Sequence, residues 1–515
     1  MVATSLGHLG ACLVWNNPLA RAPIRRCASK SSDMLQRPTR CRAVLALALI
    51  TLLVPPQPAC AYSVLSHEQV VDLAWKSHIV PLLRQRYSGI TPDQIKEAHA
   101  YAYGGAIIQD MGYYPFGNKL FSDMTHYVRS GDFVENLIRE AQNPDEVAFA
   151  LGALAHYTSD SLGHPAVNRA TASEYPRLRR RYGPVVLYDQ DPEAHLQTEF
   201  GFDVLEVTQQ RYAPEAFHDF IGFAVAKPVL ERAFQDTYGL PLNVVLTNED
   251  LAIGTYRKTV SGLLPKMTQV AVADYGKQMQ QAEPAFVPKK LIYRENKADY
   301  QKRFGNSYQR PGFGTRVLAF LLKLIPKIGP LKDLALRVPS ADAQKAFLTG
   351  MDTVVDNYHQ SINQLRAEPA DRPTLQLRAV NLDTGQPTAP GSYPLADQTY
   401  ARYLALLVTP RASSPPPTPS VPWNIPRSGP EPANTPSASA PPAPAPATQP
   451  ASTRGLQPVD SAIRTDIEHF FSNRQRQGGI LQLKKDQWKA LPKNLETLRQ
   501  LPEAASPAIA PPAQS

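Results

Sequence analysis

"NPDEVAFALGALAHYTSDSLGH", residues 143–164, decides the fold class. Asn143 before Pro144 is a common helix start: the amide side chain caps, and proline's missing N–H costs nothing in a first turn. Behind it, Val147, Ala150, Leu151 and Leu154 recur at helical spacing, the mark of a buried face. His156 and Asp160 then fall in the second half of this helix, with His164 one further step of four. Each such step turns about 400°, so the three side chains drift only about 80° around the axis. They can converge on one point, and a solvated polar stripe would have the same spacing.

The flanking sequence repeats the helical pattern. "SHEQVVDLAWKSHIVPLLRQRY" (66–87) predicts a helix with Ser66 as N-cap and Pro81 as an interruption. "TPDQIKEAHAYAYGGAII" (91–108) opens at Thr91–Pro92, and "DPEAHLQTEFGFDVLEVTQQRY" (191–212) opens at Asp191–Pro192. No long alternating pattern interrupts residues 62–290, which predicts an all-α helical bundle. A helical extension over 291–410 follows. Its apolar "TRVLAFLLKLIPKIGPLKDLALRVPS" (315–340) reads as a packed helix pair broken at Pro326 and Pro330, in preference to a lipid-contacting stretch. Residues 371–408 read as a short strand-and-turn cap ending in a helix, a small mixed C-terminal segment. Of the 50 prolines, 15 lie in 410–450, so the Pro/Ala/Ser-rich 411–455 is expected to be a disordered linker. The tail, 456–515, carries one amphipathic piece, "VDSAIRTDIEHFFSN".

Residues 1–61 read as a signal presequence: "RPTRCR", the apolar "AVLALALITLLV" and small residues at "ACA" (59–61). Cleavage there predicts a secreted or periplasmic protein. All four cysteines precede the cut, which excludes disulfides and thiolate metal sites from the mature chain. Removing the seven basic residues and one acidic residue of 1–61 leaves 47 basic against 44 acidic, a net +3. That balance, with no basic stripe interleaved with aromatics, argues against a nucleic-acid partner.

The residues that can carry chemistry are His67, Asp110, His126, His156, Asp160, His164, His195 and Glu199. His156/Asp160 and His195/Glu199 each set an imidazole and a carboxylate one helical turn apart. Singly, such pairs fit an exposed helix face as well as a site. The first pair, however, follows the Ala/Gly-rich run of a largely buried helix, where an uncompensated Asp is costly and a metal dication compensates it. Imidazoles and carboxylates without thiolates suit zinc in a hydrolytic role. His78, His99, His218, His359 and His469 read as structural.

In order along the chain these residues resemble the bacterial zinc-dependent phospholipase C family and, more distantly, the single-strand-specific zinc nucleases of the same helical fold. The resemblance implies that Tyr62, exposed by cleavage after "ACA", gives its amine and carbonyl to zinc. His67 follows five residues on, then Asp110 after the small-residue turn of "YGGAIIQDMG", then His126 in "SDMTHY". His156, Asp160, His164, His195 and Glu199 fill the remaining positions. It implies up to three zinc ions: Asp110, His126 and His156 on one, with Asp160 bridging to a second held by Tyr62 and His67, and His164, His195 and Glu199 on the third. Asp110 would face the attacking water as its orienting or deprotonating group. The implied activity is phospholipase C hydrolysis of phospholipid head groups at a membrane surface. A zinc-dependent nuclease acting on single strands and a non-catalytic zinc-stabilised surface-binding domain are the alternatives.

Overall fold

A computed structural model describes residues 64–208, 223–262, 339–368, 374–411, 457–472 and 480–504. The expectations for Tyr62, for the presequence, for most of the 315–340 helix pair, for 412–455 and for His218 lie outside the described residues. Within them the fold is all-α: fourteen α-helices and one two-stranded hairpin. None of these helices is long and apolar enough to cross a membrane.

Helix α1 (Val64–Ala74) runs through a π turn (Trp75–Ile79) into α2 (Val80–Arg86). Ser66 is therefore not an N-cap. It lies inside α1 and donates its hydroxyl to Asp203 Oδ1 at 2.7 Å. Asp203 does the capping from elsewhere in the chain, accepting Leu65 N at 3.1 Å and Ser66 N at 3.0 Å. Nor does Pro81 end the helix. The Val80 N–H reaches back to the Trp75 carbonyl, and this widened turn carries the chain past a residue with no N–H to give.

Helix α3 (Pro92–Ala106) opens on Thr91, which forms a reciprocal capping box with Gln94. A 3₁₀ turn (Ile108–Tyr113) leads to α4 (Lys119–Tyr127) and α5 (Ser130–Glu140). The central helix, α6 (Pro144–Glu174), is 31 residues long and is capped by Asn143, which accepts the Glu146 N–H. It does not stop at His164: it continues through Pro165, so His156 and Asp160 lie at its middle. Pro165 leaves the Ser161 carbonyl without its helical donor. Gly385 approaches that carbonyl so closely that a Cβ there would sit 2.1 Å from the oxygen, and its φ of +67° also favours glycine.

Next come α7 (Pro176–Tyr182) and α8 (Pro192–Thr208), the latter capped by Asp191 through Ala194 N at 3.0 Å. Helices α9 (Lys227–Tyr238), α10 (Glu249–Gly262) and α11 (Ala341–Ala367) follow. The 371–408 region is, as read, a strand-and-turn cap: β1 (Val380–Asn381) pairs antiparallel with β2 (Gln386–Pro387), and α12 (Pro394–Leu407) ends it. The tail holds α13 (Ser461–Ser472) and a further helix, α14 (Lys485–Gln500). Tyr400 of α12 stacks on Phe470 of α13 at 3.7 Å.

The core is organised on α6. Gly104 and Gly105, expected to form a small-residue turn, instead lie in the last turns of α3, where Gly105 lets that helix meet α6 backbone to backbone and Gly104 admits the main chain of Ala224. A Cβ on Gly105 would fall 1.9 Å from the Phe149 carbonyl oxygen, and one on Gly152 would fall 2.0 Å from that of Ala102. On another side α11 buries Phe347, Met351, Val354, Tyr358 and Ile362 at helical spacing, and Tyr358 donates to the Leu151 carbonyl at 2.9 Å.

Candidate metal centre

The close α3–α6 crossing has a consequence for chemistry. It brings the last residue of α3 beside the middle of α6, where His156 Nδ1 donates to the Ala106 carbonyl at 2.8 Å. A carbonyl can only accept, so the proton sits on Nδ1 and the Nε2 lone pair faces inward. His126 on α4 repeats the device with Ser122 O at 2.8 Å, and His164 repeats it with Leu382 O at 2.8 Å. Three imidazoles are thus fixed in the tautomer that a metal ligand requires.

Their Nε2 atoms converge on Asp160. It lies 3.0 Å from His156, and 3.5 Å from each of His67, His126 and His164. His126 Nε2 is also 3.3 Å from Asp110 Oδ1. On α8, Glu199 Oε1 is 2.8 Å from His195 Nε2 and 3.2 Å from His164 Nε2. Every one of these side chains is buried. Their ligand atoms form three groups, each within 4.8 Å: His67/His156/Asp160, Asp110/His126/His156 and His164/His195/Glu199. The structure thus brings together all eight described candidates. His156 belongs to two groups, and a single lone pair serves one ion. Asp160, with two oxygens, is the residue built to be shared.

These groups fit a divalent cation. Both Asp160 oxygens, both Glu199 oxygens, Asp110 Oδ1 and the Nε2 atoms of His126 and His156 are buried without a hydrogen bond, although they face one another closely. Desolvated lone pairs aimed at a common space are costly without an ion to hold them. Zinc suits this set of imidazoles and carboxylates.

The electrostatics without metal show how strained the set is. Burial pushes the Asp110 carboxyl up to about 6, against the attraction of His156 and His126. For His126, burial opposes the charged form, but Asp110 and Asp160 outweigh it and raise the imidazole to about 10. His164 is raised to about 10 in the same way, burial being overcome by Asp160 and Glu199. His67 goes the other way: burial and the neighbouring His156, stacked on it at 4.3 Å, hold it well below the ordinary imidazole range. Asp160 stays well below the usual carboxylate range, burial being outweighed by His164 and His156.

Several residues that support the site escaped sequence reasoning. Asp203 fixes the first turn of α1, and with it His67. Tyr113 and Tyr188 pack edge-on against His126 and His195. Asn381, Leu382 and Asp383, at the hairpin tip, are buried against the cluster. The turn-like "NLDTG" was the available signal there, and it marks a hairpin without saying what the hairpin touches. The other described histidines stay apart from the cluster. His99 stacks on Trp75 at 3.8 Å and pairs with Asp72 at 2.9 Å; His78 stacks on His359 at 3.9 Å; His469 is exposed on α13.

No curated protein and no solved structure matches the chain. A family model described as zinc dependent phospholipase C does match, over residues 66–247. That stretch, which carries all eight buried ligand candidates, belongs to the zinc-dependent phospholipase C family.

Proposed function

We propose that the mature chain is a secreted zinc phosphodiesterase, a phospholipase C that releases diacylglycerol and a phosphorylated head group from membrane phospholipid. The observation that carries this reading is the convergence of three buried His/Asp/Glu groups on Asp160 and Glu199, inside the family-matched stretch. We assign up to three ions: one to Asp110, His126 and His156, one to His67 with Tyr62, and one to His164, His195 and Glu199, with Asp160 shared between the first two.

Zinc, when bound, would polarise the phosphate and lower the pKa of a water. The chain's own contributions are distinct from that. Asp110 has two carboxylate oxygens, so it can hold the first ion and also orient the attacking water or take its proton. The Ser122, Ala106 and Leu382 carbonyls hold three imidazoles rigid, so the donor set costs little reorganisation. Tyr113 and Tyr188 flank the cluster with ring edges and help keep bulk water from it.

The test is direct. Protein beginning at Tyr62 is purified with zinc, its metal content is measured, and it is assayed on phosphatidylcholine vesicles, other phospholipids and single-stranded DNA. Zinc together with release of phosphorylated head group supports the reading. Zinc with cleavage of DNA alone makes the chain a nuclease. Zinc with hydrolysis of neither leaves a metal-stabilised binding domain, and no zinc removes the reading altogether.

A further inference from the structure

The family-matched stretch ends at residue 247, yet one wall of the cluster comes from far beyond it. Residues 374–387 lie across α4, α5 and α6 and are tied down along their length. Glu135 accepts the Leu375 N–H at 3.0 Å and the Leu377 N–H at 2.8 Å. Tyr157 donates to the Arg378 carbonyl at 2.9 Å, and Ser130 donates to the Val380 carbonyl at 2.6 Å. The Leu382 N–H donates to the main-chain oxygen of His126 at 3.1 Å. Residues 374–379 are exposed or half-buried; the tip, 380–383, is fully buried. The chain thus spends its burial at the point where it meets the cluster.

At that point two groups act on His164. The Leu382 carbonyl takes the Nδ1 proton, and Asp383 Oδ1 lies 4.0 Å from the same nitrogen. Asp383 is itself held on every side. Its Oδ2 accepts from Tyr127 at 2.8 Å and from Tyr393 at 2.5 Å. Its carbonyl accepts from Asn168 at 2.8 Å, and its N–H donates to Asn381 Oδ1 at 3.0 Å. A carboxylate that is only 2 % exposed and is bonded to two phenols is an expensive way to close a hairpin turn. Beside an imidazole that must present its other nitrogen to a cation, it has a use: it fixes the ring and makes it a better donor.

We propose that the hairpin tip is an integral wall of the His164/His195/Glu199 site, with the Leu382 carbonyl and Asp383 as positioning groups for His164. Zinc held by that triad then depends on residues outside the family-matched stretch for the orientation of a ligand ring, whereas at Asp110, His126 and His156 the hairpin reaches only the main-chain oxygen of His126. The inference rests on reading the triads as zinc sites.

The experiment uses the full mature chain. Asp383→Asn keeps the size of the side chain and removes its charge; Tyr127→Phe with Tyr393→Phe keeps the charge and releases the carboxylate. Zinc per chain is measured during stepwise chelator competition, the cobalt-substituted proteins are followed by absorption, and the metal-free proteins are melted. The expected result is selective: one ion is lost at roughly 10- to 100-fold lower chelator concentration, as for other outer ligands of zinc. The remaining zinc follows the wild-type curve and one cobalt environment changes, while the metal-free melting temperature falls only by the cost of the lost buried hydrogen bonds. Wild-type chelator curves and cobalt spectra in both variants overturn the proposal. So does an equal weakening of every ion with a lowered metal-free melting temperature, which would make Asp383 a fold determinant only. Absence of zinc from the wild-type protein defeats the functional reading itself, a failure distinct from either of these.

Discussion

His126 and His156 donate their Nδ1 protons to carbonyls of the helical body, Ser122 and Ala106, whereas His164 donates to Leu382, 218 residues further along the chain. The two ends of one cluster are therefore supported in different ways. At the first end the support follows from how α3 and α4 meet α6, so the residues that orient the ligands are those that build the bundle. At the second end α6 and α8 supply His164, His195 and Glu199, but a separate hairpin completes the wall. The difference teaches that a motif placed on helices can be whole in sequence and still incomplete as a site.

Asp160 is shared between two of the assigned ions and also lies 3.5 Å from His164, so Asp160→Asn is the most damaging single change. Removing an outer partner of a zinc ligand already costs up to about 100-fold, and loss of a shared ligand is expected to cost more than about 100-fold in activity. Elemental analysis should show at least two ions gone. Glu199→Gln, by contrast, should release one. Equal losses in both variants would erase the distinction between the ends.

Acid should empty both ends. Without metal, His126 and His164 are raised to about 10 and so carry protons at neutral pH that zinc has to displace. Zinc affinity is accordingly expected to fall as pH drops from 8 toward 6, and to fall more steeply below about 6, where Asp110 is protonated as well. Zinc added at pH 7 to weakly buffered metal-free protein should release protons, which a pH electrode reads. Zinc uptake without proton release would contradict the charge state assigned to the cluster.

Smaller effects separate the ends further. Gly152→Ala forces α3 away from α6 and should cost roughly 1–3 kcal/mol in urea unfolding of the metal-free protein. Because that crossing places the Ala106 carbonyl, zinc should weaken at the His156 end first. Asp203→Ala removes the cap of α1 and is expected to cost about 1 kcal/mol by thermal unfolding, with a slight loss at His67. A larger effect at the His164 end in either variant would reverse the assignment of supports.

How much of this could be read in advance depended on the range of the interaction involved. Thr91, Asn143 and Asp191 marked helix starts because capping is a matter of three residues. His156, Asp160, His164, His195 and Glu199 were legible as steps of four on helices, whereas His67, Asp110 and His126 took their roles from the family resemblance, because no local spacing ties them to the others. That α6 runs on through Pro165 could not be read locally, because the residue packed against the freed Ser161 carbonyl is Gly385, which no local pattern connects to it. Gly104 and Gly105 looked like a turn because small residues serve turns and close approaches alike, and only the backbone that packs on them, Ala224 and α6, tells them apart. Asp383 was invisible for the strongest form of this reason: its partners Tyr127, Asn168 and His164 are all more than two hundred residues away.

The hairpin packed on α6 beside Pro165 also has a history in time. A ribosome adding about 5–20 residues per second takes roughly 10–45 s to travel from His164 to Leu382. Through that interval the central helix can be complete while the His164 ring waits for its acceptor. Closing so long a loop is slow and comes late. The hairpin thus sets an order of assembly: the bundle forms first, and the last metal-binding wall arrives only when just over two-fifths more of the chain has been made.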